Sequence, residues 1–145
     1  MTVRKYKPED LDQILSWLPQ LQGSAFNWSH ATLESELKFA EAWILADQSG
    51  KVCAFVCERF LPDFVEWTVL AVAPGQQGMG KMKRLLNDRI TALRAAKSTE
   101  KILLEVHAGN LGAVKLYENL GFQKTGSRAR YYSDGSDALI FSLKI

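Results

Sequence analysis

The sequence has few of the features that mark secreted, membrane or nucleic-acid-binding proteins. It contains only two cysteines, too few for a disulfide framework, and no apolar run near the ~20 residues that a membrane helix needs. Its first residues, MTVRKYKPED, are charged and include no apolar stretch of signal-peptide type. The net charge of +2 is too small to indicate a nucleic-acid binder. We therefore expect a cytoplasmic protein with no membrane and no nucleic-acid partner.

The composition that is present is typical of a globular protein. Of the 145 residues, 47% are hydrophobic and 23% are charged, which is enough for one domain with its own core, and we expect a single domain over residues 1–145. The charges are unevenly distributed. Residues 1–72 carry six lysines and arginines against ten acidic residues, whereas residues 73–145 carry twelve against six. The first part would favour a cationic partner and the second an anionic one, although scattered solvated charge explains the pattern equally well.

Apolar residues at strand and helix spacing predict the element order β-α-α-β-β-β-α-β-α-β-β. The predicted strands cover 2–6, 42–47, 51–60, 64–72, 102–107, 122–132 and 137–145. The predicted helices run from Pro8 to Pro19, from an N-cap at Ser29, over 79–96, and from an N-cap at Asn110 to a C′ glycine at Gly121. This order predicts an α/β (α+β) fold with a mixed, mostly antiparallel sheet.

The two cysteines lie on the third predicted strand. Cys53 and Cys57 would share a face with Phe55, about 13 Å apart, which is too far for a disulfide bond. We therefore expect both to be buried thiols without a catalytic role.

A glycine-rich turn, PGQQGMG at 74–80, separates a strand from a basic amphipathic helix. Without side chains at Gly75, Gly78 and Gly80, the backbone can approach a ligand, and the first turn of the helix offers unpaired N–H groups to a phosphate. The turn is neither a P-loop nor a full dinucleotide fingerprint. An ordinary tight turn therefore stays open as an alternative.

Two stretches resemble the GCN5-related N-acetyltransferase (GNAT) superfamily, namely VLAVAPGQQGMG and LEVHAGNLGAVKLYENLGF. The second contains the superfamily's pattern Asn-x-x-Ala-x-x-x-Tyr-x-x-x-Gly-Phe. Three segments, AFNWS at 25–29, LEVHAGN with LYENLGF, and RARYYSDGSDALIFSLKI at 128–145, are similar more narrowly to the bacterial ribosomal-protein-alanine N-acetyltransferases. The resemblance covers nearly the whole chain and implies the GNAT fold.

The resemblance also implies acetyl-CoA as co-substrate, with no metal. Leu70, Ala71 and Val72 match the strand that pairs with the pantetheine arm, and Asn110 matches a residue that contacts the cofactor. The pyrophosphate loop would comprise Gln76, Gln77, Gly78, Met79, Gly80 and Lys81. The sequence departs from the family at Gly75, where arginine or glutamine is usual, and the stretch before Gly78 is two residues short. We nevertheless expect acetyl-CoA binding to be retained, at an unchanged or lower affinity.

For catalysis the resemblance implies direct transfer, with Glu105 accepting the proton of the amine and Tyr117 donating one to the departing CoA thiolate. From the residues alone, Tyr117 is equally typical of a core tyrosine, whereas a carboxylate inside an apolar strand, as at Glu105, is unusual. His107, expected on the same face as Glu105, is a candidate proton relay, although the family more often has arginine there. Aromatic residues expected to border the acceptor groove or to pack are Phe26, Trp28, Tyr131 and Tyr132.

The acceptor implied by the resemblance is the α-amino group of a protein, namely the N-terminal alanine of a small-subunit ribosomal protein. The alternatives are a small-molecule amine, a lysine, or a non-catalytic acetyl-CoA-binding module. We expect a monomer or weak dimer.

Overall fold

A seven-stranded mixed sheet organises the molecule. The computed structural model describes residues 1–21, 26 and 28–145. The strands are β1 (Thr2–Lys5), β2 (Glu41–Ala46), β3 (Val52–Phe60), β4 (Phe64–Val72), β5 (Lys101–His107), β6 (Gln123–Arg128) and β7 (Ala138–Lys144). Their spatial order is β1-β2-β3-β4-β5-β7-β6, and only the β4–β5 pair is parallel. The predicted mixed, mostly antiparallel sheet is thus confirmed.

Five helices accompany the sheet in the described part of the chain. They are α1 (Leu11–Ser16), α2 (Leu18–Leu21), α3 (His30–Phe39), α4 (Lys81–Ala96) and α5 (Leu111–Asn119). Within the described residues, none of them is long and apolar enough to cross a bilayer. The predicted caps of α3 and α5 are confirmed: Ser29 accepts a hydrogen bond from the Thr32 N–H (3.1 Å) and Asn110 one from the Ala113 N–H (3.2 Å). Gly121 follows α5 at φ +98°.

Three predicted bounds are wrong, each for a backbone reason. The first helix does not run to Pro19: it opens as a 3₁₀ turn over Pro8–Asp10 and ends at Ser16, and Pro19 lies in α2 instead. Because proline has no N–H, the helical bond back to residue 15 cannot form, whereas the first turn of a new helix tolerates proline. Helix α4 begins at Lys81 rather than 79 because Gly80 adopts a left-handed φ of +74°. Strand β6 ends at Arg128 rather than 132, since Arg130 has a φ of +50°.

The helices form two layers with separate cores. Helices α4 and α5 cover one face of the sheet, with Leu85, Leu86 and Tyr117 in its core, and α1–α3 cover the other, with Ile14 and Leu33 in theirs. A buried ion pair between Glu58 and Arg89 (2.8 Å) fixes α4 to β3. This contact attaches the middle of α4 to the sheet.

Both cysteines are buried free thiols, as expected, but they do not share a face. The β2–β3 register shifts between Leu45 and Ala46, so that Cys53 has no partner residue on β2. The Cys53 side chain therefore packs in the α4–α5 core, whereas that of Cys57 packs in the α1–α3 core. Burial raises the pKa of the Cys57 thiol, which disfavours the nucleophilic thiolate.

The sheet has a second bulge, on β4, and a gap between β4 and β5 at its centre. On β4, Val69 pairs with Cys57 and Trp67 with Glu58, so Thr68 is an extra, bulged residue. The parallel pairing of β4 with β5 ends at Trp67 and Leu104, while β5 continues along β7 as far as His107. Strands β4 and β5 therefore separate at their carboxyl ends, and the gap between them leaves strand edge available to a ligand.

Candidate functional site

Two grooves meet at the gap between β4 and β5. The first has a volume of about 680 Å³ and lies between the end of β4, the glycine-rich loop and helix α5. Nine of the ten predicted cofactor residues line it: Leu70, Ala71, Val72, Gln76, Gln77, Gly78, Gly80, Lys81 and Asn110. The tenth, Met79, does not line the groove and is 63% exposed. Its side chain is therefore not part of the groove wall.

The loop itself explains why glycine stands at position 75. The Gln76 N–H donates to the Ala73 carbonyl (3.0 Å), and Gly75 has a φ of +82°. Proline followed by a glycine of positive φ is the signature of a type II turn, so Gly75 is required by the turn. The turn uses the N–H of Gln76, which is therefore not free for a phosphate.

The start of α4 has the features of an anion site. Its N-cap, Gly80, supplies no side-chain hydrogen bond, so the first N–H groups of this 16-residue helix are not capped. The helix dipole also favours negative charge there. Three lysines line the same groove, Lys81 and Lys83 from α4 and Lys115 from α5. Sequence reasoning missed Lys115, which it had assigned no role.

Asn110 lies between the two grooves and has a structural task of its own. Its side-chain oxygen caps α5, and its backbone N–H donates to the His107 carbonyl (2.9 Å). The side chain borders both cavities. The NH₂ group of the amide is not needed for the cap and is therefore the part that a ligand would contact.

The second groove, of about 530 Å³, brings the predicted catalytic pair together. Glu105 and Tyr117 both line it, and Tyr117 also lines the first groove. The aromatic residues predicted near the acceptor, Phe26, Trp28, Tyr131 and Tyr132, form part of the same wall. A carboxylate and a phenol thus border one space that communicates with the phosphate-suited groove through Tyr117. Residue 25 and residue 27 of the AFNWS segment lie outside the described residues.

Glu105 is more accessible than the apolar strand suggests. Its side chain is 33% exposed and lies on the opposite face of β5 from Leu104 and Val106, which explains how an apolar strand accommodates a carboxylate. The Nε of Arg128 donates to its Oε1 at 2.8 Å, and the Arg128 guanidinium also lies 5.8 Å from the Tyr131 ring. Arg128 therefore orients the carboxylate at the edge of the groove.

Tyr117 belongs both to the core and to the site. Only 5% of the residue is exposed, and its ring packs against Phe122 and Phe141, with centroids 6.0 and 6.4 Å apart. Burial raises the pKa of the Tyr117 phenol, so the hydroxyl stays protonated throughout the neutral range. The core and functional interpretations of this residue are compatible.

A third cavity, of about 540 Å³, adjoins the second groove and shares Trp28, Thr68, Glu105 and Tyr131 with it. We call this cavity the acidic extension because Glu36, Glu66 and Glu105 line it. Glu36 accepts hydrogen bonds from Arg59 and from Thr68 (both 2.8 Å). Although burial opposes ionisation, these bonds lower the pKa of Glu36 overall. Sequence reasoning missed this region because the bulge at Thr68, which sets the β4 register, has no sequence signature.

The side chain of Glu66, in the same extension, makes no hydrogen bond or ion pair with any other residue that the structure describes. Partial burial, followed by the nearby charge of Glu105, raises the pKa of the Glu66 carboxyl. The charges of Arg59 and Arg128 oppose this shift but do not outweigh it, and a partly buried carboxylate beside Glu105 favours a cationic ligand.

His107 lies on the same face of β5 as Glu105, as predicted, but its ring is already engaged. The Gly109 N–H donates to Nδ1 (2.9 Å), and Nε2 contacts the Asp134 carboxylate (2.8 Å). Both ring nitrogens are occupied, so the proton-relay hypothesis finds no free nitrogen in this geometry.

Comparison with known proteins identifies relatives of the same chemistry. The model of the acetyltransferase (GNAT) family matches residues 9–122. A ribosomal protein bS18-alanine N-acetyltransferase of Escherichia coli (strain K12) is 35% identical over 124 residues, covering 83% of each chain. An N-alpha-acetyltransferase of Sulfurisphaera tokodaii is 26% identical and covers 97% of this chain and 90% of its own. The crystal structure of the ribosomal-protein-S18-alanine N-acetyltransferase from Escherichia coli aligns with a TM-score of 0.85 at 31% identity, covering 99% of this chain and 93% of that one.

Proposed function

The chain belongs to the GNAT family of N-acetyltransferases, and from that premise we propose that it transfers acetyl from acetyl-CoA to the α-amino group of a protein. The observation that carries this proposal is the placement of Glu105 and Tyr117 in one cavity, which meets the phosphate-suited groove at Tyr117. The acceptor and the thioester would approach from opposite sides of the gap between β4 and β5.

The first groove suits acetyl-CoA along its whole length. The strand edge of Leu70–Val72, left unpaired by β5, can hydrogen-bond the amides of the pantetheine arm, as in strand addition. The uncapped start of α4 and the three lysines suit the pyrophosphate. A backbone N–H of β4 would polarise the thioester carbonyl in the manner of an oxyanion hole.

The reaction is direct. The neutral amine attacks the carbonyl carbon, a C–N bond forms and the C–S bond breaks. Glu105 takes the proton of the amine, directly or through a water molecule, and Tyr117 gives a proton to the CoA thiolate. An α-amino group of pKa near ~8 needs less help from a carboxylate than a lysine near ~10.4. Because the Tyr117 phenol is a weaker acid than an ordinary tyrosine, its donation depends on close placement against the sulfur.

The acidic extension supports a basic acceptor. Two of its glutamates are paired with arginines, whereas Glu66 has no such partner among the described residues. A cationic side chain that follows the acceptor amine would neutralise Glu66 and relieve its repulsion with Glu105. We propose the N-terminal alanine of a small-subunit ribosomal protein, with a basic residue next to it, as the acceptor. Similarity to the bS18-alanine enzymes supports the same assignment.

The proposed acceptor is tested by measuring the release of the CoA thiol with a panel of acceptors. An Ala-Arg N-terminal peptide, the same peptide with a blocked α-amine, a peptide with lysine as its only amine, and small polyamines distinguish the candidates. We expect turnover of the free Ala-Arg peptide and none of its blocked form. Turnover of the lysine peptide or a polyamine alone would replace the N-terminal acceptor by one of the alternatives. Acetyl-CoA binding with no turnover of any acceptor would favour a non-catalytic module.

Four further expectations stay predictions. They are a single domain over residues 1–145, a cytoplasmic location, a monomer or weak dimer, and independence of metal and nucleic acid.

A further inference from the structure

We infer that His107 is a positioning residue that holds the tyrosine loop, residues 129–137 between β6 and β7, over the acceptor groove. This inference rests on the proposed function, because it concerns how the same site holds its acceptor. It assigns His107 a role other than proton relay, and it makes Asp134 and Tyr132 the residues through which His107 acts.

The hydrogen bonds of His107 define its ring form. Because the Gly109 N–H donates to Nδ1, that nitrogen carries no proton, and the ring proton resides on Nε2. Nε2 then donates to the Asp134 carboxylate at 2.8 Å. A side chain at Gly109 would stand 3.0 Å from the ring carbon Cε1, so glycine allows this close approach. His107 is 7% exposed in the folded protein, where Tyr132 and Asp134 of the loop contribute to its burial.

The other side of the contact is the tyrosine loop. Asp134 also accepts the Ser136 N–H (2.9 Å), and the Gly135 N–H donates to the Tyr132 carbonyl (2.9 Å), so the tip of the loop is a tight turn built around Asp134. The His107 ring packs on the Tyr132 ring at 4.7 Å, and Tyr132 meets Tyr131 edge-on at 5.2 Å. A contact at His107 therefore fixes both tyrosines.

Both tyrosines and His107 line the groove that contains Glu105. The loop has a second attachment, in which Arg128 contacts Glu105 and lies against Tyr131. The loop thus forms one wall of the acceptor space and takes no part in the groove that suits acetyl-CoA. Loosening it should weaken the binding of the acceptor and leave the binding of acetyl-CoA intact.

Two conservative substitutions separate the contacts of the ring. A glutamine amide can occupy the place of Nε2 and donate to Asp134, whereas an asparagine carbonyl can occupy the place of Nδ1 and accept only from Gly109. We expect His107→Asn to raise KM for the acceptor about tenfold, with His107→Gln closer to wild type, because small displacements of a substrate-positioning wall are costly. Calorimetric affinity for acetyl-CoA should be unchanged in both variants.

Asp134→Ala tests the contact from the loop, where the carboxylate side chain is 36% exposed and its loss is tolerated by the core. It should reproduce the KM effect of His107→Asn, and the double variant should show no further increase. An unchanged acceptor KM in both single variants, or a parallel loss of acetyl-CoA affinity, would overturn the inference.

A wrong acceptor assignment and a wrong role of His107 give different results. KM is measured with whichever acceptor the wild-type protein turns over, so a lysine or polyamine acceptor would refute the α-amine assignment without affecting this test. Nitrogen NMR of His107 adds a readout that needs no substrate. We expect the Nε2–H form, with a ring contact to Tyr132 that is lost in Asp134→Ala. The Nδ1–H form, or persistence of that contact in the variant, would contradict the inference.

Discussion

At the scale of single residues, the two proposed proton-transfer groups differ in how strongly the fold constrains them. Glu105 is partly exposed and held by one arginine, whereas Tyr117 is packed into the core. We expect Glu105→Gln and Tyr117→Phe each to lower kcat by ~10²–10⁴-fold, because each removes one proton transfer. Tyr117→Phe keeps the ring packing, so its melting temperature should stay near that of the wild type. Near-normal turnover of both variants at saturating substrate would refute the acid–base assignment.

Glu66 offers a residue-scale test of the acceptor's charge. Since the folded protein raises the pKa of Glu66, folding favours its protonated form, and its contribution to stability decreases as pH rises from the unfolded pKa through the folded one. Glu66→Gln should therefore increase the melting temperature at pH 7 but not at pH 4, and it should reduce the preference for arginine over alanine beside the acceptor amine.

The matched control for that prediction is Glu41→Gln, which removes the same charge from an exposed position outside the described cavities. This variant should leave the acceptor preference as it is. Equal arginine preference in wild type and Glu66→Gln would rule out Glu66 as the carboxylate that meets the cation.

At the scale of elements, the glycine-rich loop links backbone conformation to cofactor binding. Gly80 holds a φ of +74° at the start of α4, where any other residue costs about 1–2 kcal/mol. Gly80→Ala should destabilise the protein by that amount and raise KM for acetyl-CoA. Gly112 lines the same groove within the first turn of α5. It has no positive φ and has open space around it, so we take Gly112→Ala as the control variant. It should instead stabilise the protein by about 0.5–1 kcal/mol.

Urea unfolding together with acetyl-CoA titration checks both variants. If Gly112→Ala raises KM as much as Gly80→Ala does, the effect comes from filling the groove and not from the backbone of the loop.

Most elements could be predicted from the sequence, because apolar spacing and caps are local signals. Nine residues of the first groove were instead implied by the resemblance to the GNAT superfamily. The caps at Ser29 and Asn110 and the turn glycine at 121 are examples in which one residue type determines the end of a helix. What the sequence could not indicate depends on register. The bulges at Cys53 and Thr68 arise from pairing between strands, and they decide which face each side chain occupies.

The same limit explains the errors in the site. Glu105 lies on the face of β5 opposite Leu104 and Val106, and whether that face is covered depends on distant segments such as Arg128 of another strand. Glu36 and Glu66 line one cavity because α3 packs on β2 and β3 and Glu36 reaches Thr68 of β4, so their proximity has no counterpart in sequence spacing. The site residues that the sequence did not indicate are therefore those whose position depends on contacts between segments far apart in the chain.

At the scale of the whole molecule, the division of charge along the sequence becomes a division between the first groove and the acidic extension. The lysines of the first groove all come from residues 73–145, whereas Glu36 and Glu66 of the acidic extension come from residues 1–72. Opposite fields on two sides of one gap would attract the anionic thioester to one entrance and a cationic peptide to the other. The division is incomplete, because the acidic extension is also lined by Arg59 from residues 1–72 and by Glu105 and Arg128 from residues 73–145.

This arrangement predicts a distinct dependence on salt. Raising ionic strength from about 0.1 M to about 1 M shortens the screening length from roughly 10 Å to roughly 3 Å. KM should then rise for acetyl-CoA and for an Ala-Arg peptide, whereas an Ala-Ala peptide should be affected much less, because it carries no side-chain cation to the acidic extension. In Glu66→Gln the salt dependence for the two peptides should converge. Equal salt dependence for both peptides in the wild type would show that the acidic extension does not contribute to acceptor binding, and that the charge division serves acetyl-CoA alone.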